Sequence, residues 1–434
     1  MFAYYLRLAL RALRNSPVLT ALMVLALAVG IGASMTMLTV LHVLSGDPLP
    51  GRSAHLYYPQ VDPRQLGRGG GNGNPEPPGL LTYVDAENLL QQGKATRAAL
   101  MYQGGDVVQP PAGSALHPFV VNSRLTGRDF FSMFEVPFRY GSAWSAADDA
   151  GAAHVAVISQ SLDRKLFGGA DSVGRMLVYG GHSFRIVGVL AHWRPVPRFY
   201  DLDASRYGEV EDVFIPFNTA RALNLGVNGS TNCYGKPGKD LDTSPCGYIQ
   251  MWVQLDSAKA AADYKRFLAN YSAQQHAAGR FQRPPNVRLD DLMQWLATNH
   301  VVPEDVRMQA WLALGFLLVC VVNTVGLLLA KFLRRSGEIG VRRALGASRR
   351  AIFAQLLIEA GMIGAAGALL GLLLTWIGLW LVRKQPSDYA QLAHLEPAML
   401  VATLALALLA SLVAGLLPAW RACLIPPALQ LKSS

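Results

Sequence analysis

GEIGVRRALGASRR, residues 337–350, carries four arginines, and two more stand just before it at Arg334 and Arg335. On either side lie the most water-averse stretches of the chain. Residues 308–330 run 23 positions without a charge, and 351–382 run 32 positions with only Glu359. Two further runs are uncharged, 27 residues at 18–44 and 23 at 398–420. About 20 apolar residues suffice to cross a hydrocarbon core of roughly 30 Å. Core helices of soluble proteins seldom stay uncharged for so long, and four together argue for an integral membrane protein. The fold class predicted is therefore an α-helical membrane protein with four transmembrane helices. A large mixed α+β domain is inserted between the first and second of them.

The net charge of +10 in 434 residues raises the question of nucleic acid. Its distribution answers against it. Residues 45–306 hold 24 Lys plus Arg against 25 Asp plus Glu, a net of −1. The excess sits at Arg7, Arg11 and Arg14, at Lys331, Arg334, Arg335, Arg342, Arg343, Arg349 and Arg350, and at Arg421 and Lys432. Every basic cluster thus borders an apolar run. Positively charged loops stay cytoplasmic, so both termini and the arginine loop are predicted inside, and 45–306 and the balanced segment 383–397 outside. The parts are then 1–17, 18–44 (span), 45–306 (external domain), 307–333 (span), 334–350 (inner loop), 351–382 (span), 383–397 (outer loop), 398–420 (span) and 421–434 (tail).

YYLRLALRALRN (4–15) places Arg7, Arg11 and Arg14 on one helical face and Leu6, Leu10 and Leu13 on another, the pattern of an interfacial helix among membrane lipids. Ser16 offers an N-cap and Pro17 a first helical residue for the span that follows. That span is about twice as long as a signal-peptide core, and no convincing cleavage site follows it, so it is read as an uncleaved anchor. Gly30, Gly32, Ala33 and Ser34 let a neighbouring helix approach closely. A second subunit and the chain's own spans serve equally well as that neighbour.

The external domain alternates strand-like and helix-like stretches. HVAVIS (154–159), FRIVGVL (184–190), DVFIPF (212–217) and YIQMWVQLD (248–256) read as strands. SQSLDRKLFGG (159–169) reads as a short helix stopped by its glycine pair, and 258–275 as a longer one. From Leu289 the chain is expected to be helical on both sides of Pro303 as it enters the second span. GRGGGNGNPEPP (67–78) is a loop by composition. Cys233 and Cys246 both fall in the turn-rich NCYGKPGKDLDTSPCGY, outside the membrane, and are expected to form a disulfide in an oxidising compartment.

No chemistry of the usual enzymatic kinds is legible. There is no GxxxxGK[ST] phosphate loop, no HExxH and no GxSxG elbow, and the nine histidines stand apart from any metal-ligand spacing. Catalytic, cofactor-binding and metal residues are all expected to be none. Gly337 is expected to break the second span, after which the inner loop forms a short amphipathic element. Its Ile339, Ala344 and Leu345 meet lipid or protein, and Arg342, Arg343, Arg349 and Arg350 face the cytoplasm. Gly346, Ala347 and the candidate cap Ser348 then turn the chain into the third span. On the residues alone, an orientation-setting loop and a docking helix for a cytoplasmic partner are equally good readings.

RRSGEIGVRRALGASRRAIFAQLLIEA strongly resembles the signature of FtsX/MacB-type permeases of ABC systems. DFFSMFEVPFRYGSAW, VAVISQSLDRKLFGGADSVGRMLVYGGHSFRIVGVL and VFIPF resemble successive blocks of a MacB-type periplasmic core domain, and LLPAWRACLIPPALQL resembles the family's ending. The resemblance implies a bacterial inner-membrane permease that works as a dimer with a second copy or a paralogue. Each subunit docks a separate ABC ATPase, which holds the ATP and Mg; no cofactor is expected on this chain. It implies a type VII exporter that drives substrates out of the periplasm by mechanotransmission, with a periplasmic adaptor and an outer-membrane channel. A lipoprotein-releasing permease and an FtsX-like scaffold for a cell-wall hydrolase share the architecture. By the same resemblance Glu338, Gly340, Arg342, Arg343, Gly346 and Ala347 are coupling positions. Glu359 falls either at the cytoplasmic membrane interface or in the coupling machinery.

Overall fold

A computed structural model describes residues 16–65, 76–386, 389–395 and 397–424. The interfacial arginines Arg7, Arg11 and Arg14, most of the glycine-rich loop and Lys432 lie outside the described residues. The chain separates into two compact units, one comprising Gly46–Val301 and the other the segments on either side of it.

The inserted unit is a mixed sheet of twelve strands among the described residues. In chain order these are β1 (Leu56–Val61), β2 (Leu81–Thr82), β3 (Arg97–Gln109), β4 (Phe119–Thr126), β5 (Phe138–Gly141) and β6 (Val155–Ile158). They continue as β7 (Met176–Tyr179), β8 (His182–Leu190), β9 (Val213–Pro216), β10 (Asn232–Cys233), β11 (Cys246–Gln254) and β12 (Val287–Asp291). The spatial order is β12-β1-β11-β3-β4-β9-β6-β8-β5, with β2 and β10 against β11 and β7 against β3 and β8. The β4–β9 and β6–β8 pairs are parallel, and the other pairs are antiparallel.

Every residue of β11 is buried, as expected of a strand covered on both faces. Its successive side chains point to opposite faces. Ile249, Met251 and Val253 join the core that also holds Tyr264 and Leu268 of the helix Ala258–Ala277. Gln250 and Trp252 face the other way, towards Asp201 and an aromatic cluster of Phe134, Phe199 and Tyr58. The helix Gln160–Phe167 is capped by Ser159, whose Oγ accepts from Leu162 N at 3.0 Å. It ends at Gly168, whose φ of +75° is the left-handed turn glycine adopts at least cost. One sequence expectation needs correction here. Residues 289–291 are not helical but belong to β12, where they pair with Tyr57, Tyr58 and Pro59 of β1. The helix begins only at Leu292.

Among the described residues, the second unit holds four helices long and apolar enough to cross a membrane: Pro17–Ser45, Glu304–Arg334, Arg349–Val382 and Pro397–Leu424. The second and third begin a few residues before their uncharged runs, at Glu304 and Arg349. Glycine resolves the question of which neighbour the first span meets. A Cβ on Gly32 would stand 2.7 Å from Leu374 Cβ of the third span, and one on Gly30 would stand 3.0 Å from Cys320 Cβ of the second. Ser34 Oγ also donates to the Ala313 carbonyl at 2.8 Å. Gly30, Gly32 and Ser34 therefore pack against the chain's own spans, while Ala33 is exposed. Ser16 does not cap through its side chain: its carbonyl accepts from Thr20 N, but its buried hydroxyl has no partner among the described residues.

Candidate functional site

The hairpin between the second and third spans is built by three local signals. The second span ends at Arg334, and Arg335, at φ −102° and ψ 14°, leaves the helix. The helix Ser336–Ala344 follows, so Gly337 lies inside a helix and does not break one; the break falls at Arg335. Gly346, at φ +98°, then closes that helix. Its N–H donates to Arg343 O at 3.1 Å and that of Ala347 to Arg342 O at 3.0 Å, the paired bonds of a Schellman end. Ser348 Oγ accepts from Ala351 N at 3.2 Å and starts the third span. Gly346 and Ala347 thus form the end of the short helix.

The short helix packs one side against the spans. Ile339 and Gly340 are buried, with Ile339 in the same core as Phe332, Ile352 and Leu356. Ala344 and Leu345 are exposed, Leu345 by 83%. Arg342 is held sideways rather than pointing out. It donates to Gln355 Oε1 of the third span at 3.0 Å and pairs with Glu338 at 2.6 Å. Arg343 is half-buried, and Arg349 and Arg350 are exposed.

Glu338 also accepts from Arg335 Nη2 at 2.9 Å, and Arg335 Nη1 reaches Glu359 Oε2 at 3.2 Å. Glu359 is packed among the spans. It is fully buried, with Lys331 Nζ 2.7 Å from Oε1, and Lys331 is itself only 2% exposed. Lys331 Nζ then donates to Thr20 Oγ1 of the first span at 3.4 Å. Side chains from Arg342 to Thr20 therefore form one chain of charge-assisted contacts. It joins the short helix to the first, second and third spans. Its half-exposed pairs, Glu338 with Arg335 and Arg342, contribute little each. The Lys331–Glu359 pair is different, because breaking a buried pair strands a charge.

The structure brings Glu338, Arg342 and Glu359 together in one chain of charged contacts. Lys331 and Gln355 are the members that sequence reasoning missed. In sequence Lys331 is one of the basic residues that border a span, and nothing local sets it apart from those that fix orientation.

The inserted unit holds a second buried charge cluster, also missed. Arg124 on β4 is fully buried. It donates to Asp201 Oδ2 at 2.5 Å, to Gln250 Oε1 at 3.3 Å and to Glu211. Tyr200 OH donates to Glu211 Oε2 at 2.9 Å. Burial alone would lower the Arg124 pKa, but Glu211 and Asp201 outweigh it and hold the guanidinium charged. Burial pushes the two carboxyls up, yet Arg124 and Arg198 prevail and set both below their ordinary values. The cluster pins the irregular segment before β9 onto the sheet. Cys233 and Cys246, directly opposed on β10 and β11, form a disulfide. No group of three or more metal-ligating side chains exists among the described residues.

Four apolar helices, an α/β domain inserted after the first and a charged helical hairpin between the second and third define a multi-pass membrane protein of the permease type. A family model described as MacB-like periplasmic core domain matches residues 20–270, and one described as FtsX-like permease C-terminal matches 311–427. The chain belongs to this MacB-like, FtsX-like family of ABC transporter permeases. It is 26% identical over 364 residues to a pyoverdine export ATP-binding/permease protein, PvdT, of Pseudomonas entomophila, covering 82% of this chain and 49% of that one. It is 26% identical over 446 residues to a macrolide export ATP-binding/permease protein, MacB, of Azoarcus sp., covering 98% and 59%. The chain thus spans about half the length of the curated relatives it matches. The periplasmic region of MacB from Actinobacillus actinomycetemcomitans aligns with 57% of this chain and 94% of its own, at 12% identity and a TM-score of 0.37.

Proposed function

We propose that this chain is the permease subunit of a type VII, MacB-like exporter that passes the motion of an ABC ATPase to its periplasmic domain and so expels substrates from the periplasm. The observation that carries the reading is the hairpin. A nine-residue helix is held sideways on the spans by the packing of Ile339 and the Arg342–Gln355 hydrogen bond, while Leu345 and Arg350 are exposed. In this reading the hairpin and both termini are cytoplasmic, and ATP and Mg bind the partner ATPase. Two permease subunits, identical or paralogous, stand side by side in the inner membrane, with a periplasmic adaptor and an outer-membrane channel completing the route. Motion without a path through the membrane is supported by the spans themselves. Among the described residues of the bundle, the buried charged side chains are Lys331 and Glu359, which neutralise one another.

The test is co-purification with the cognate ATPase subunit. Leu345→Glu combined with Arg350→Glu changes two exposed positions of the hairpin and leaves the Arg342–Gln355 and Lys331–Glu359 contacts in place. Loss of the ATPase with normal membrane insertion is the expected result. Full retention of the ATPase by the double variant would overturn docking at this hairpin.

A further inference from the structure

We propose that Glu359 is a positioning residue that locks the helix Ser336–Ala344 to the first and second spans, so that hairpin and spans move as one body. The inference rests on the docking role given above and assigns its mechanical linkage.

A helix of nine residues joined to its neighbours by a non-helical residue on one side and a glycine turn on the other has two hinges. A push on such an element would be absorbed at Arg335 and Gly346 unless side chains fix it. Ile339 supplies an apolar contact, which is non-directional and lets the helix slide. Direction comes from hydrogen bonds to charged groups, which are short and geometrically demanding. One such bond, from Arg335, and a short ion pair with Lys331 converge on one carboxylate. Glu359 takes Arg335, the hinge residue itself, on Oε2, and Lys331 on Oε1. Arg335 also holds Glu338 of the short helix, and Lys331 reaches Thr20 on the first span. A fully buried glutamate inside an otherwise uncharged 32-residue run is costly to keep. Its two oxygens serve two different elements, the hinge and the second span, and neither contact could be made by an apolar residue of equal size.

The test uses the full chain with its ATPase in nanodiscs, with Cys320 and Cys423 replaced by Ser. Spin labels are placed at Leu345→Cys and Val18→Cys, both exposed, at 83% and 71%. With the linkage intact, the 345–18 distance distribution is narrow and the same with and without a non-hydrolysable ATP analogue. In Lys331→Met/Glu359→Gln, which removes the pair without stranding a charge, the analogue is expected to shift or at least double the width of that distribution at matched ATPase occupancy. Arg335→Gln, which cuts the hinge contact and keeps the buried pair, is expected to do the same and serves if the double variant inserts poorly. A distribution as narrow and nucleotide-independent as wild type in Arg335→Gln overturns the proposal while leaving docking untouched. A wild-type hairpin that never retains the ATPase overturns docking and this linkage with it, and the two failures are told apart by the pull-down alone.

Discussion

Lys331 Nζ lies 2.7 Å from Glu359 Oε1, and neither side chain meets solvent. Such a pair responds asymmetrically to mutation. Glu359→Gln or Lys331→Met alone leaves a charge or a polar group in an apolar site and is expected to cost on the order of 3–5 kcal/mol. The double variant Lys331→Met/Glu359→Gln is expected to recover most of that loss. Unfolding midpoints of the three variants in detergent check this, and additive losses in the double variant would show that the two groups do not interact.

Gly346 makes a separate prediction at the other end of the hairpin. Its φ of +98° lies where side chains with a branched Cβ clash. A residue forced into the left-handed region costs roughly 1–2 kcal/mol. Gly346→Val is therefore expected to open the Schellman end. The Ala347 amide, which donates to Arg342 O, should exchange with deuterium several-fold faster than in wild type. Gly346→Asn, which tolerates this region, is expected to restore most of the protection.

These two sites were unequally legible before the structure. Four apolar runs, their basic borders and the turn at Gly346–Ser348 follow from composition and local spacing, because each depends on neighbours in sequence. The strands 155–158, 182–190, 213–216 and 246–254 were visible for the same reason, as short branched and aromatic runs between turns. The break at Arg335 was not, since glycine at 337 is the stronger local signal and the contact from Arg335 to Glu359 joins residues far apart in sequence. Pairings between distant residues leave no mark in one sequence. Glu359 could be seen to be unusual, but Lys331 as its partner could not be told from a residue that sets orientation. Arg124 on β4 has no sequence neighbour that marks it as special; it is buried because the segment carrying Asp201 and Glu211 folds over it.

That cluster predicts a pH dependence. Asp201 and Glu211 have folded pKa values below their unfolded ones, against the raising effect of burial, because Arg124 and Arg198 stand beside them. A depressed carboxyl stabilises the fold above its unfolded value and ceases to do so as pH falls through the folded one. The inserted domain is thus expected to hold constant stability from these groups down to the ordinary carboxylate range, about pH 4, and to lose it below. Arg124→Met removes the counter-charge, so the carboxyls take up protons at higher pH and the acid transition moves upward. Tryptophan fluorescence during acid titration of the protein in nanodiscs reports it. An unmoved transition would mean that Arg124 does not set the carboxyls.

The disulfide offers the last measurement. Cys246 is fully buried on β11 and Cys233 is exposed on the two-residue β10, so the bond fastens a short edge to a central strand. The sequence separation is 13 residues. In the chain-entropy model, closing such a loop stabilises by about 3 kcal/mol. For a unit of this size that corresponds to a fall in Tm of roughly 6–12 °C on losing the bond. Cys233→Ser/Cys246→Ala should show that fall, and dithiothreitol should produce it in wild type but not in the variant. Alkylation supplies the direct check: Cys233 and Cys246 should be modified only after reduction, and modification of both without a reductant would show that the bond is absent from the protein in its membrane.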